Sequence, residues 1–154
     1  MHPCYALYPI KQAWIQLKYE QDVLIGLSFV HEPQDDCGRR TAFTEQVYQQ
    51  IAEYLSGTRQ SFDFAYRAQG TDFQQKVWAA IAAIPYGKTR SYKQIAEAIG
   101  QPRAYRAVGG AANKNPLLLI IPCHRVIGAN KKLTGYAGGI AMKQNLLQLE
   151  QISE

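Results

Sequence analysis

Residues 115–126 read NPLLLIIPCHRV, and the rest of the chain can be read outward from this stretch. Asn115-Pro116 closes off any preceding helix, because the residue before a proline is pushed to extended geometry. Leu117 to Ile121 is apolar at every position and too short for a helix, so the expected element is a strand buried on both faces. Such a strand delivers Pro122-Cys123-His124-Arg125-Val126 directly from the core.

Upstream lie three helix signals. Thr71 with Gln74 is a capping box, and Phe73, Val77, Trp78, Ile81 and Ile84 form an apolar stripe at helical spacing that Pro85-Tyr86-Gly87 ends. Ser91 with Gln94 is a second capping box, opening a short helix with Ile95 and Ile99 as core candidates and Gly100 as its stop. Pro102 suits the first turn of another helix, running through Arg106 to about Asn113. Two short helices across a tight glycine-containing turn have the outline of a helix-turn-helix, and equally of a plain αα packing unit. Downstream, Asn130, Lys131 and Lys132 mark a loop, as does Gly135-Tyr136-Ala137-Gly138-Gly139. A last helix comes next, with Met142, Leu146 and Leu149 on one face and Glu150 beside them.

Toward the N-terminus the period changes. Trp14, Leu17 and Tyr19, then Val23 to Val30, read as two strands of a hairpin around Glu20-Gln21-Asp22. Beyond a polar loop with Pro33, Asp35, Asp36 and Gly38, the residues Val47, Ile51 and Leu55 predict an amphipathic helix stopped by Gly57. Ser61 to Tyr66 is a candidate short strand. The expected fold class is α/β (α+β): a small mixed α/β domain over residues 1–70, then a mainly helical domain over residues 71–154 with a helix-turn-helix.

Composition narrows the function classes. The 154 residues are 47% hydrophobic and 19% charged without low-complexity tracts, as in an ordinary globular protein able to bury its own core. No secretory pattern opens the sequence, and the apolar run Leu117 to Ile121 is far too short for a bilayer, so no membrane partner is expected. The expected location is cytoplasmic, or nuclear in a eukaryote. Three cysteines, Cys4, Cys37 and Cys123, make an odd set without repeated spacing, which argues for free thiols. His2, Cys4, His31 and Cys37 are metal-ligand types but match no finger spacing, so no metal is expected. Charge is uneven: residues 1–70 hold six Lys/Arg against eight Asp/Glu, residues 71–154 eleven against four. The basic half suits a polyanion such as nucleic acid, or is an ordinary solvated face.

Cys123 is the candidate nucleophile. Preceded by proline and followed by His-Arg, it has the surroundings of a thiol whose thiolate a nearby base or cation favours; the alternative is an inert core cysteine. Neighbours on a strand point to opposite faces, so His124 reaches Cys123 only through a bend or a bridging water. Glu150 can orient the imidazole by accepting its other N–H, or be an exposed helix residue.

Ile121-Pro122-Cys123-His124-Arg125-Val126, with Arg106-Ala107-Val108-Gly109-Gly110 and Asn115-Pro116 before it and Gly135-Tyr136-Ala137-Gly138-Gly139 after it, resembles the O6-alkylguanine-DNA alkyltransferases. The match spans about residues 71–150 in order, and residues 1–70 agree in layout only. The resemblance implies direct-reversal DNA repair: irreversible, single-turnover transfer of an alkyl group from guanine O6 to Cys123 after base flipping, with no cofactor. It implies that His124 acts as base through a water, that Glu150 orients it, and that Asn115 ties the recognition helix to the cysteine segment. Tyr92 would meet the backbone and the flipped base and donate a proton, and Arg106 would enter the duplex. Ser91, Lys93, Arg103, Gly109 and Gly110 join the expected DNA-contacting set, and Val126, Tyr136 and Ala137 the guanine pocket. The implied partner is double-stranded DNA carrying O6-alkylguanine, held by its minor groove, and the implied state is a monomer.

Three positions depart from the family pattern: Ala137 where some members carry serine, Tyr105 where a small residue is commoner, and Asn145 where a tryptophan often packs. Two other functions compete. A non-repairing lesion sensor would lack the acceptor cysteine, and a thiol hydrolase using Cys123 and His124 would turn over repeatedly.

Overall fold

The computed structural model describes residues 4–11, 13–31, 38–128 and 135–151. The chain divides into two compact units, residues 1–68 and 69–154.

The first unit is a three-stranded antiparallel sheet in the order β1 (Cys4–Ile10), β2 (Ala13–Glu20), β3 (Val23–Val30), followed by helix α1 (Ala42–Leu55). The β2–β3 hairpin forms as expected, with Gln21 at φ 52° in its turn. Along β2 the buried Ala13, Ile15, Leu17 and Tyr19 alternate with half-buried neighbours, so Trp14 lies on the opposite face from Leu17 and Tyr19. β1 escaped the sequence reading because Pro9 interrupts it; β1 is an edge strand, where a missing N–H is tolerated. Helix α1 starts at a Thr41–Thr44 capping box, and its inner face runs through Phe43, Val47, Ile51 and Tyr54, leaving Leu55 half-buried. Residues 61–66 do not form the expected strand. They make a single parallel bridge, Leu24 to Tyr66, through the Leu24 N–H to Ala65 carbonyl (3.0 Å) and Arg67 N–H to Leu24 carbonyl (2.8 Å) bonds.

The second unit is built from α2 (Asp72–Ala82), β4 (Arg90–Ser91), α3 (Tyr92–Ala98), α4 (Tyr105–Asn113), β5 (Val126–Ile127) and α5 (Ile140–Gln151). Both predicted capping boxes are present, at Thr71–Gln74 and Ser91–Gln94. Val77, Trp78, Ile81 and Ile84 are buried, while Ile99 ends α3 half-exposed. Helices α2, α3 and α4 pack on one another, and the Trp78 indole N–H reaches the Ala111 carbonyl at 2.9 Å. Gly100, at φ +78°, turns the chain from α3 toward α4. Pro102 sits in that connecting turn rather than in the first turn of α4, which begins three residues later and has no side-chain cap among the described residues.

Leu117 to Ile121 is buried throughout, yet it is not a strand. It is a compact turn, closed by the Ile121 N–H to Leu117 carbonyl bond at 2.9 Å, with Leu119 at φ 73°. A continuous apolar run reports burial but not period, and here the run wraps instead of extending. Cys123–Arg125 form one turn of 3₁₀ helix, after which β5 pairs in parallel with β4, Arg90 opposite Val126. That short pairing brings the start of α3 beside the end of the cysteine segment. Among the described residues no helix is long and apolar enough to cross a membrane.

Candidate active site

Asn115 stands where Pro116 has ended the helical path, and its side chain organises the turn between Leu117 and Cys123. Its amide donates to the Ile121 carbonyl at 2.7 Å and to Cys123 Sγ at 3.1 Å, while its Oδ1 accepts from the Leu117 N–H at 2.9 Å. One buried amide therefore closes the loop from both ends and aims a donor at the sulfur. The left-handed Leu119 in that loop is costly for a branched side chain, by about 1–3 kcal/mol, and the flanking hydrogen bonds hold it.

Cys123 is 4% exposed. Burial pushes its thiol up to about 11, against the pull of the Asn115 donor and the Lys143 ammonium. The sequence context suggested a favoured thiolate; desolvation reverses that, and the resting sulfur is a thiol at neutral pH.

A base adjoins it. His124 is fully buried in the same 3₁₀ turn, with Nε2 2.7 Å from Glu150 Oε2. A carboxylate only accepts, so Nε2 carries the proton and Nδ1 is the basic nitrogen. Burial lowers the His124 pKa, although Glu150 opposes the shift, so the ring is neutral and can take a proton. With His124 on a turn instead of a strand, the face alternation expected from the sequence does not separate it from Cys123.

Glu150, 1% exposed, is the opposite of the surface helix residue that the sequence allowed. Arg125 grips both its oxygens, Nε to Oε1 at 2.8 Å and a terminal nitrogen to Oε2 at 3.0 Å, and donates its other terminal nitrogen to the Ile84 carbonyl at 2.7 Å. The Gly87 N–H adds a longer contact to Oε1 at 3.4 Å. Gly87 lies at φ +81°, a conformation that favours glycine, and a Cβ there would also sit tightly, 3.3 Å from the Glu150 backbone carbonyl.

Two residues without an assigned role in the sequence reading belong to this cluster. Arg125 fixes the carboxylate that orients His124. Lys143 on α5 is fully buried; burial lowers its pKa while the Cys123 sulfur raises it, and its Nζ is 6.0 Å from the Tyr92 ring centre. The signal was available: Lys143, Leu146 and Glu150 share a helix face at i, i+3 and i+7. That stripe lies one residue round from the Met142-Leu146-Leu149 face, whose outer members are half-buried. Tyr136 packs edge-on to His124 at 6.4 Å, and its hydroxyl is buried with no hydrogen-bond partner among the described residues. Ala137 beside it is exposed, and Val126 is fully buried within β5. Asn145 is exposed on α5.

The expected nucleic-acid residues gather around α3 and α4. Ser91 accepts the Gln94 N–H at 3.0 Å as the α3 cap and keeps its own hydroxyl proton to donate. Thr89, Arg90, Ser91, Lys93, Gln94, Ile127 and Gly128 line a groove of about 370 Å³. Lys93, Arg103 and Arg106 are exposed and Tyr92 is half-buried. A Cβ on Gly110 would meet none of the described residues within 4 Å, and one on Gly109 only the Tyr92 ring at 3.8 Å. Packing among the described residues does not demand either glycine. Of the four metal-ligand types near the N-terminus, His2 and Cys37 lie outside the described residues, and no group of three such side chains occurs among the described ones.

Comparison with known proteins bears on this arrangement. Residues 72–152 match the family model of the 6-O-methylguanine DNA methyltransferase DNA-binding domain. The methylated-DNA–protein-cysteine methyltransferase of Methanosarcina barkeri is 52% identical over 130 residues, covering 84% of this chain and 82% of its own. The constitutive enzyme of that name from Bacillus subtilis is 49% identical over 116 residues, covering 75% and 70%. The crystal structure of Mycobacterium tuberculosis OGT in complex with DNA superposes with a TM-score of 0.88 at 43% identity, over 96% of this chain and 92% of that one.

Proposed function

The chain belongs to the 6-O-methylguanine DNA methyltransferase family, and on that premise we propose that Cys123 is the alkyl acceptor of its repair reaction. The protein repairs alkylated DNA by alkyl transfer and is a methylated-DNA–protein-cysteine methyltransferase. The observation that carries the Cys123 assignment is the Asn115 donor on Sγ at 3.1 Å within a turn shared with a neutral, carboxylate-oriented histidine.

The chemistry is set by those protonation states. Sγ attacks the alkyl carbon, the S–H proton passes through a water to His124 Nδ1, and the electrons of the broken C–O bond stay on guanine O6. Tyr92 supplies a proton to the departing guanine and regains one, through solvent, from the His124 imidazolium, which returns both side chains to their starting states. The net exchange replaces one S–H and one C–O bond with one S–C and one N–H bond. Asn115 and Lys143 stabilise the sulfur as charge develops on it, which matters most where burial makes charge expensive. Arg125 holds Glu150, and Glu150 holds the His124 tautomer. The thioether product is a poor leaving group, so each chain acts once and no cofactor takes part.

The target atom is hidden in a stacked duplex, so the nucleotide must rotate out, at a cost of a few kcal/mol. Arg106 occupies the gap, and Gly109 and Gly110 let α4 approach the backbone closely. Ser91, Lys93 and Arg103 meet phosphates, and Tyr136 with Ala137 and the Val126 segment flanks the guanine. Docking in the minor groove suits a protein that must act in any sequence, since that groove carries little base information. The protein works as a monomer, in the cytoplasm or, in a eukaryote, the nucleus.

Intact mass after incubation with excess duplex carrying one O6-methylguanine, followed by peptide mapping, tests the assignment. The expected result is one added methyl per chain, confined to Cys123. An unchanged mass with tight lesion binding would make the chain a sensor instead.

A further inference from the structure

We propose that Tyr105 is a DNA-recognition residue of this chain, its ring stacking on the base left unpaired opposite the flipped guanine. The inference rests on the base-flipping reading above and adds a residue to it.

Tyr105 is the first residue of α4 and is 45% exposed; the other exposed large apolar side chains among the described residues are Tyr5 and Tyr66 in the first unit and Ile140 at the start of α5. It is therefore the exposed aromatic ring of the second unit's described residues. By helical spacing it continues the buried Val108–Ala112 stripe, yet at the first turn it has run past the core. Side chains on a helix lean toward its N-terminus, which carries the ring further from the packed end. Arg106, adjacent and exposed, holds its guanidinium carbon 6.0 Å from the Tyr105 ring centre. The two planar groups stand together but fan apart by the 100° or so between consecutive helical residues, so both cannot enter one gap along one direction. Arg106 continues the open face of Gly109 and Gly110, and Tyr105 flanks it. If Arg106 takes the vacated position, the neighbouring ring meets the base that flipping leaves behind, stripped of its pairing. An aromatic platform fits that role because every base has a π-face, so stacking serves any sequence context.

The test is single-turnover methyl transfer by the wild type, Tyr105→Ala and Tyr105→Phe on two duplexes, one with O6-methylguanine opposite cytosine and one with it opposite a stable abasic analogue. Tyr105→Ala is expected to be slowed about tenfold opposite cytosine and less than about twofold opposite the abasic site, where there is no base to stack upon. Tyr105→Phe is expected to match the wild type on both. An unslowed Tyr105→Ala, equal slowing on both duplexes, or a Tyr105→Phe as slow as Tyr105→Ala would each overturn the proposal. Methyl counted on Cys123 of the wild type reports separately on the acceptor: no methyl overturns that assignment and this inference with it, whereas a methylated wild type beside an unslowed Tyr105→Ala overturns the stacking role alone.

Discussion

Burial raises the Cys123 thiol to about 11 while the Asn115 donor and the Lys143 charge pull the other way, so with Cys123 as the proposed acceptor, reactivity depends on a proton acceptor being present when the alkyl carbon arrives. In the proposed mechanism His124 supplies it, and burial holds its own pKa below the ordinary histidine value. The rate of methyl transfer is therefore expected to hold as pH falls through 6.5 or so, where an exposed imidazole would be half protonated, and to drop only at lower pH; a rate halved near that value would remove His124 as the base. The same shift has a consequence for stability. A histidine whose folded pKa is depressed leaves the unfolded chain binding the proton first, so stability is lost as pH falls below the unfolded value. His124→Gln is expected to flatten that acid limb in thermal melts. Replacing Cys123 by alanine is expected to abolish methyl gain while lesion-duplex affinity, read by anisotropy, stays within about threefold, because a buried sulfur contributes little to phosphate and groove contacts.

At the scale of elements, Arg125 joins three of them: the 3₁₀ turn that bears it, the α2 end through the Ile84 carbonyl, and α5 through Glu150. Arg125→Leu would leave the Glu150 carboxylate buried beside His124 without its bidentate partner. Removing one side of such a pair costs about 3–5 kcal/mol, so a clear fall in the denaturant midpoint is expected; a midpoint unchanged within error would show that the fork contributes nothing. The α3–α4 pair behaves differently, since its proposed DNA-contacting side chains Lys93, Arg103 and Arg106 are exposed and its buried residues are Ile95, Ala96, Val108, Ala111 and Ala112. Arg106→Ala is accordingly expected to leave the melt alone and to slow repair of duplexes more than reaction with a free O6-benzylguanine base. Equal slowing of both substrates would deny Arg106 its place in the duplex.

For the whole molecule the deciding property is charge. Residues 69–154 carry eleven Lys/Arg against four Asp/Glu, and the pI of the chain is about 9.1. Each phosphate neutralised releases condensed counterions, so duplex affinity is expected to fall by at least tenfold or so between about 50 and 200 mM salt. A flat titration would mean that the basic residues form a solvated face and that groove contacts alone hold the DNA.

Much of this protein is settled by local sequence. The β2–β3 hairpin, the two capping boxes, the glycine stops and the order of the helices come from short-range patterns, because a cap or a two-residue period acts over a few neighbours. The proposed acceptor and its histidine are adjacent in the chain and carry their own motif. Tertiary structure decided the features that depend on distant partners. Leu117 to Ile121 reads as a strand by composition and becomes a turn because Asn115 bonds Ile121 and Cys123 across it. Local sequence leaves Glu150 either an orienting carboxylate or an exposed helix residue, and it is buried because Arg125 and His124, 25 and 26 positions earlier, come to meet it. The burial of Lys143 and the protonated state of Cys123 arise from desolvation, a property of the packed surroundings that no window of sequence contains.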